Sequence, residues 1–293
     1  MTHVGTSASD ELAAISHPLF TARSGPAVPF DYSDPGPDLG RPNAARMYDY
    51  MLGGSHNFGT DRRAVDRLLQ AVPDAADVAR ANRAFLARAV RFLVAAGIRQ
   101  FIDVGSGIPT RGNVHEIAQR AAPDARVLSV DVDPVAVAHS RAVLAGNERA
   151  RAIRADVRHP EQILSHPELR SLLDLSQPFA VLLVAVLHFV ADADEPAQVV
   201  AQFRDALPPG GYVVISHGTA DSRPDDGALV ADAYRATSTP LVLRSREQIV
   251  DLFTGLDLVP PGVVWATEWH PDHPNDVGSP QRHPVLVGLG HKP

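Results

Sequence analysis

From Gly97 onward the sequence alternates short apolar stretches with helical ones, and this alternation restricts the possible folds more than any other feature of the chain. Candidate strands lie at 100–104, 126–130, 150–155, 179–184 and 211–216. Helical periodicity separates them at about 114–121, 134–144, 161–173 and 196–207. Short apolar strands alternating with helices specify a parallel sheet covered on both faces. The end departs from this rule. Strands near 256–265 and 284–289 are joined without a convincing helix, which predicts an antiparallel pair. The expected class is therefore α/β.

Three helices precede the first strand. The first spans 41–52 and is stopped by Gly53 and Gly54. The second starts near Asp61, with Val65, Leu68, Leu69 and Val72 on one face, and the third covers about 76–96 with Phe85, Leu86, Ala89 and Leu93. Residues 41–96 thus read as an N-terminal helical cap or lid ahead of a 97–293 domain. Residues 1–40, rich in Pro, Gly, Ser and Asp, read as a flexible arm.

Composition narrows the function classes. With 34 acidic against 27 basic residues the net charge is −7, which argues against wholesale binding of a nucleic-acid backbone. Cysteine is absent, so there is no disulfide framework, thiolate metal site or cysteine nucleophile. The longest apolar run, from Phe179 to Leu187, is too short to cross a bilayer, and the N-terminus lacks the layout of a signal peptide. A soluble cytoplasmic protein without a membrane partner is expected. The single lysine, Lys292, lies one residue from the end, which argues against a Schiff-base mechanism. His270, His273 and His283 sit in a Pro-rich stretch with no carboxylate at helical spacing, so no metal site is expected.

Three strand ends carry the chemistry. Asp103-Val-Gly105-Ser106-Gly107 follows the first strand, where α/β sheets present their ligand crevice, and glycine lets backbone approach a nucleotide closely. A dinucleotide fingerprint would need glycine where Thr110 stands, and the capping pair Asn113/Glu116 starts the next helix late, near Val114. At the second strand end, Asp133 before Pro134 reads as a helix N-cap. Asp131 is left either to accept a ribose diol or to remain a solvated strand end. Asp156 ends the third strand, where it can meet an adenine amino group or serve as a turn residue.

Together with Leu182-Leu-Val184-Ala185-Val-Leu-His188, these strand ends resemble the S-adenosylmethionine-dependent methyltransferases of the Rossmann-like class. More narrowly, Pro42-Asn43-Ala-Ala-Arg46-Met-Tyr48-Asp49-Tyr50-Met-Leu52-Gly53-Gly54, with Asn57 and Asp61-Arg62, resembles the N-terminal signature of one bacterial family formerly catalogued as a domain of unknown function. Asn82-Arg83-Ala-Phe85-Leu86 and Pro109-Thr110 also follow its pattern. The resemblance implies a seven-stranded sheet with an antiparallel last strand and S-adenosyl-L-methionine as cofactor. It places Gly105, Ser106 and Gly107 near the methionyl part and ribose, with Asp103 orienting the loop. Asp131 and Val132 would face the ribose side, Asp156 and Val157 the adenine, and Val184 and Ala185 the sulfonium. Arg83 would meet the methionyl carboxylate or remain an exposed helix arginine.

The methyl acceptor reads as a small molecule with an O, N or C nucleophile. The Asn/Asp-Pro-Pro-aromatic motif of many DNA and protein amide methyltransferases is replaced by Val184-Ala-Val-Leu-His188. His188 and His217, after the fourth and fifth strands, are the candidate bases, with packing or capping as the alternative. An NAD-dependent oxidoreductase and a non-catalytic S-adenosylmethionine-binding protein remain the competing functions, and the oligomeric state is open.

Overall fold

The structure, a computed structural model, describes residues 38–110, 112–235, 237 and 239–293. The arm expected over 1–40 therefore lies outside the described residues up to position 37. Five parallel strands alternate with helices as the sequence implies: β1 (Gln100–Val104), β2 (Arg126–Asp131), β3 (Ala150–Arg154), β4 (Ala180–Val184) and β5 (Tyr212–Gly218). Helices α1 (Ala44–Met51), α2 (Gly59–Ala71) and α3 (Ala75–Ala95) precede them. The helices α4 (Val114–Ala121), α5 (Pro134–Val143), α6 (Pro160–Ser165), α7 (Pro167–Leu172) and α8 (Pro196–Ala206) fall between strands. After β5 come α9 (Pro224–Arg235), α10 (Arg246–Asp251), β6 (Asp257–Leu258), β7 (Val264–Trp265) and β8 (Val285–His291).

The sheet runs β3-β2-β1-β4-β5-β8-β6, with β7 also paired to β8. β8 is antiparallel to β5, and both β6 and β7 are antiparallel to β8. The expected C-terminal pairing is present, but the sheet has eight strands where the resemblance implied seven. The reason is local. Pro260 and Pro261 lack the N–H that a ladder needs, so the stretch 256–265 breaks into two short strands along one edge. Likewise the helix expected over 161–173 is divided, because Pro167 opens a new helix with His166 as its N-cap.

Period-two alternation sends β1 side chains to two cores. Phe101 joins Phe85, Leu93, Val127 and Leu182 under α3, whereas Ile102 joins Leu128, Ile153, Leu183 and Phe203 on the other face. A third, smaller cluster forms outside the sheet, where Met47 of α1, Val65 and Leu68 of α2 and Tyr234 of α9 pack together. Fully burying side chains of this kind contributes roughly 1.5–3 kcal/mol each.

The N-terminal helices are tied by buried polar bonds. Asn43 caps α1 by accepting from the N–H of Ala45 at 2.9 Å. Asp61 accepts from the N–H groups of Asn43 and Phe58 and pairs with buried Arg46 at 3.2 Å. Asp49 Oδ2 accepts from His56 N–H and Asn57 Nδ2, and a Cβ on Gly54 would lie only 2.0 Å from Asp49 Oδ1. Gly54 is thus required for close approach, and Gly53, at φ +80°, ends the helix in the left-handed conformation. All described residues belong to one compact unit, and among them no helix is long and apolar enough to cross a membrane.

Candidate functional site

β1 and β2 end side by side, and residue parity places Asp103, Asp131 and Val184 on the face that α3 covers. The loop after β1 folds onto the end of β2. Gly105 and Ser106 both donate their N–H to Val130 O, at 2.8 and 3.0 Å. Gly107 donates its N–H to Asp131 Oδ2 at 2.7 Å, while Asp131 Oδ1 accepts from Asp133 N–H at 2.9 Å. Asp131 and Val130 therefore orient the loop, the role expected of Asp103. The Asp103 carboxyl makes no hydrogen bond to a described residue and lines the cavity beside it.

Glycine is needed here for two different reasons. Gly105 has φ +74°, and a Cβ there would come within 2.5 Å of Val186 Cγ2, so only glycine lets the loop reach the end of β4. Gly107 has φ +65°, but the space where its Cβ would point is open. Asp133 caps α5 through Val135 N–H at 2.9 Å, as its sequence position predicts. At the end of β3, Asp156 is gripped by Arg158, whose Nε lies 3.0 Å from each carboxylate oxygen. Burial raises the Asp156 pKa, but the hydrogen bonds and charge of Arg158 outweigh it and leave the carboxyl below its ordinary value. Burial pushes Asp103 up to about 7 against the opposing charge of Arg83, and Asp131 up to about 6 against the N–H groups of Asp133 and Gly107.

β4 ends at a strained residue. Ala185 is left-handed, with φ +56°, and its N–H donates to Ser216 Oγ at 2.9 Å. Ser216 donates to Asn82 Oδ1 at 2.6 Å, Asn82 Nδ2 donates to Tyr48 Oη at 3.0 Å, and Tyr48 donates to Ala79 O at 3.0 Å. This unbroken chain joins the floor of the crevice to α3 and α1, and each bond polarises the next.

A cavity of about 490 Å³ runs from these strand ends to the underside of the helices, within the range of small-molecule sites. Asp103, Gly105, Ser106, Gly107, Asp131 and Val132 line one end. Asp156, Val157, Val184, Ala185, Arg83 and His188 line it too, so every candidate cofactor-binding or catalytic residue read from the sequence except His217 lines this cavity.

The S-adenosyl methyltransferase family profile matches residues 34–293. The chain belongs to that family. A DUF574 family protein from Streptomyces avermitilis MA-4680 is 39% identical over 87% of this chain and 99% of its own, with a TM-score of 0.83. A protein from Thermobifida fusca YX is 40% identical over 90% of this chain and 99% of its own, with a TM-score of 0.82. No curated protein matches. The protein is thus an S-adenosylmethionine-dependent methyltransferase, which sets aside the NAD-dependent reading.

The site of this methyltransferase has open positions for such a cofactor. Arg83 reaches Asn113 Oδ1 at 3.1 Å, but its buried Nε has no partner. Asp103 offers an unengaged carboxyl, and Gly107 borders open space. Half-exposed Val132 presents an apolar side chain at the same end. A zwitterion attached to a nucleoside matches this pattern of cation, anion and glycine cradle.

The two histidines differ sharply. β5 continues to Gly218, so His217 is still a strand residue and alternates onto the face opposite Ser216. It is fully buried and lies off the cavity, with Nδ1 donating to Gly218 O at 2.8 Å and Nε2 accepting from Arg244 Nη1 at 2.9 Å. Both nitrogens are used, and burial pushes its pKa down to about 4. The expectation that His217 faces the crevice as a base is corrected. His188 does line the cavity. Gly218 N–H donates to its Nδ1 at 3.3 Å, which assigns the proton of the neutral ring to Nε2. Burial, then His217 and Arg244, hold its pKa well below the ordinary value. In this tautomer His188 offers the cavity a hydrogen-bond donor and not a base.

Sequence reasoning missed Asn82 and Ser216 as partners, and it missed α9, which brings Tyr234 to the cavity. The signals for α9 were Pro224 at its start and acidic Asp225 and Asp226 in its first turn. Among the described residues no group of three or more histidine or acidic side chains is arranged to hold a metal.

Proposed function

We propose that the methyltransferase methylates a small-molecule nucleophile, at O, N or C, held inside this cavity. The observation that carries the reading is the continuity of one cavity from the glycine loop to a pocket roofed by α1 and α9. The net charge of −7 gives no support to a nucleic-acid acceptor. When bound, S-adenosylmethionine supplies a methyl group already activated on a sulfonium sulfur.

The residues of the chain bind, orient and exclude water. Arg83 takes the methionyl carboxylate and Asp103 the ammonium, which also rewards ionisation of Asp103. Asp131, already fixed by two N–H donors, keeps lone pairs for the ribose hydroxyls. Val132 and Val157 flank the adenine, with Asp156 at its edge. Ala185, held by the Ser216–Asn82–Tyr48 chain, sets the floor against which the acceptor approaches. Alignment and water exclusion supply the acceleration. The helices of 41–96 act as the fixed roof, and the signature residues Asn43, Arg46, Asp49, Asn57 and Asp61 are its fastenings.

The test is incubation of the protein with methyl-deuterated S-adenosylmethionine and fractionated extract of a related bacterium. Label is expected in the small-molecule fraction. Label confined to nucleic acid or protein would overturn the reading.

A further inference from the structure

The end of the cavity away from the strand ends is bounded by α1, α3, α9 and the segment 239–243, and it is mostly apolar. Met51, Leu68, Val72, Val230 and Leu241 supply its walls. Charged side chains do reach this region, but each is neutralised by a neighbour. Arg223 Nη1 lies 2.7 Å from Asp74, its Nη2 pairs with Asp226, and Arg282 lies 3.9 Å from Asp74, which sets two cations against two carboxylates. The Arg158 group lies at the adenine end instead, where Arg158 binds Asp156 and sits 3.8 Å from Asp194, a carboxylate 39% exposed to solvent. Removing an ion from water into such a space is costly unless an opposite charge receives it. Among the described residues at this end no unpaired cation is present for a carboxylate or phosphate, and no unpaired anion for an ammonium.

Polar groups interrupt the apolar walls, Tyr234, His188 and Thr239 among them. Tyr234 is about nine-tenths buried, lines the cavity, and its hydroxyl makes no hydrogen bond to any described residue. The Tyr48 hydroxyl, in contrast, is fully engaged with Asn82 and Ala79. His188 adds a donor at Nε2. The rings of His188, Phe189 and Tyr234 follow one another at centroid distances of 4.4 and 5.6 Å, an aromatic wall suited to a flat ring. The Tyr234 hydroxyl opens onto the cavity with no protein partner among the described residues, so a ligand that bonds it is selected over one that does not.

We propose that the acceptor is an uncharged, largely apolar ring compound bearing a hydroxyl, and that the Tyr234 hydroxyl is the group that binds its polar atom. This rests on the cavity being the methyl-acceptor site. An amine acceptor would enter as an ammonium and find no carboxylate to receive its charge. A carboxylic acid would find no guanidinium. A neutral hydroxyl compound meets apolar walls, an aromatic face and an open hydroxyl partner.

The experiment uses the full chain and calorimetric titration, first with S-adenosylhomocysteine and then, with and without it, with 2-naphthol, 2-naphthoate and 2-naphthylmethylammonium as probes. The expected result is 2-naphthol binding at least tenfold more tightly than either ion. Tyr234→Phe should weaken 2-naphthol about tenfold while leaving naphthalene, S-adenosylhomocysteine and the melting temperature unchanged. Preference for either ion, no binding of 2-naphthol, or an unaltered 2-naphthol affinity in the variant would each overturn the proposal. The selectivity series in the unmodified protein stands whatever the variant does. Failure of S-adenosylhomocysteine to bind would count instead against the proposed function, so the two outcomes are separable.

Discussion

The pH dependence of cofactor binding follows from the two buried carboxyls at the glycine loop. Asp103 titrates at about 7 and Asp131 at about 6, both raised by burial. If binding requires both in the ionised form, Asp103 to face the ammonium and Asp131 the ribose, affinity must fall as pH drops through these values. At about pH 5.5 roughly one Asp103 in thirty and about one Asp131 in four would be ionised, so affinity should be about 100-fold weaker than at pH 8, or about 2.7 kcal/mol. The sign for stability is opposite. Each folded-state pKa lies above its unfolded value near 3.8, so protonation favours the native state, and this contribution is lost as pH rises from about 4 to about 7. Acid should thus favour the empty fold at these two groups while weakening the complex. Titration with S-adenosylhomocysteine between pH 5.5 and 8, in buffers of different ionisation enthalpy, reads both affinity and protons released. Asp103→Asn should remove the larger part of the slope. Flat affinity across this range, or tighter binding in acid, would refute the assignment of Asp103 and Asp131 as ionised partners.

Asp131→Ala should lose roughly 2–4 kcal/mol of cofactor affinity by calorimetry, because ribose contact and loop anchoring go together. Asp133→Ala should instead cost about 1 kcal/mol of stability as a lost cap, read from denaturant midpoints. Asp61→Ala leaves buried Arg46 with its more distant carboxylate, Asp133 at 3.9 Å, and the Asn43 and Phe58 N–H groups without their acceptor, and should destabilise by about 3–5 kcal/mol in the same measurement; a change below 1 kcal/mol would dissolve the roof argument. Hydrogen exchange within Ala44–Met51 should be slow before cofactor is added and change little afterwards. Strong ligand-dependent slowing there would show a closing lid and not a fixed roof.

The parts of the site legible in the sequence are those fixed by strand parity and turn chemistry. Asp103, Asp131 and Asp156 each stand at the end of a short apolar strand, and the loop glycines follow Asp103, so local sequence places them correctly. His217 shows the limit of that reasoning. Ending β5 at Ser216 allowed the next side chain to turn anywhere, whereas two more paired residues, His217 and Gly218, force it across the sheet. Counting alternate positions back to Val213 and Ile215, on the far core, would have revealed it. α9 and α10 escaped because each lies among Pro, Gly and Thr and carries a short or mixed apolar stripe. Their stability comes from packing, Tyr234 against α1 and α2 in one case and the fully buried Ile249 in the other. Asn82 and Tyr48 lie 34 residues apart and meet Ser216 another 134 residues on, a proximity that no periodicity encodes.

The same three residues decide how this protein can be recombined. A cut at Gly97 looks natural, since helices lie before it and the alternating sheet begins after it. Yet a hybrid with a foreign N-terminal segment lacking Asn82 would leave the Ser216 hydroxyl facing no acceptor and release the one bond that steadies left-handed Ala185 from the side of α3. Such a hybrid would be expected to fold its sheet and still misplace the surface on which methyl donor and acceptor meet. The walls around Val72 and Val230 carry no comparable bond and can change freely. Diversification of acceptor choice in this family is therefore expected to proceed by substitution along α2 and α9, with the Tyr48–Asn82–Ser216 line inherited as a unit.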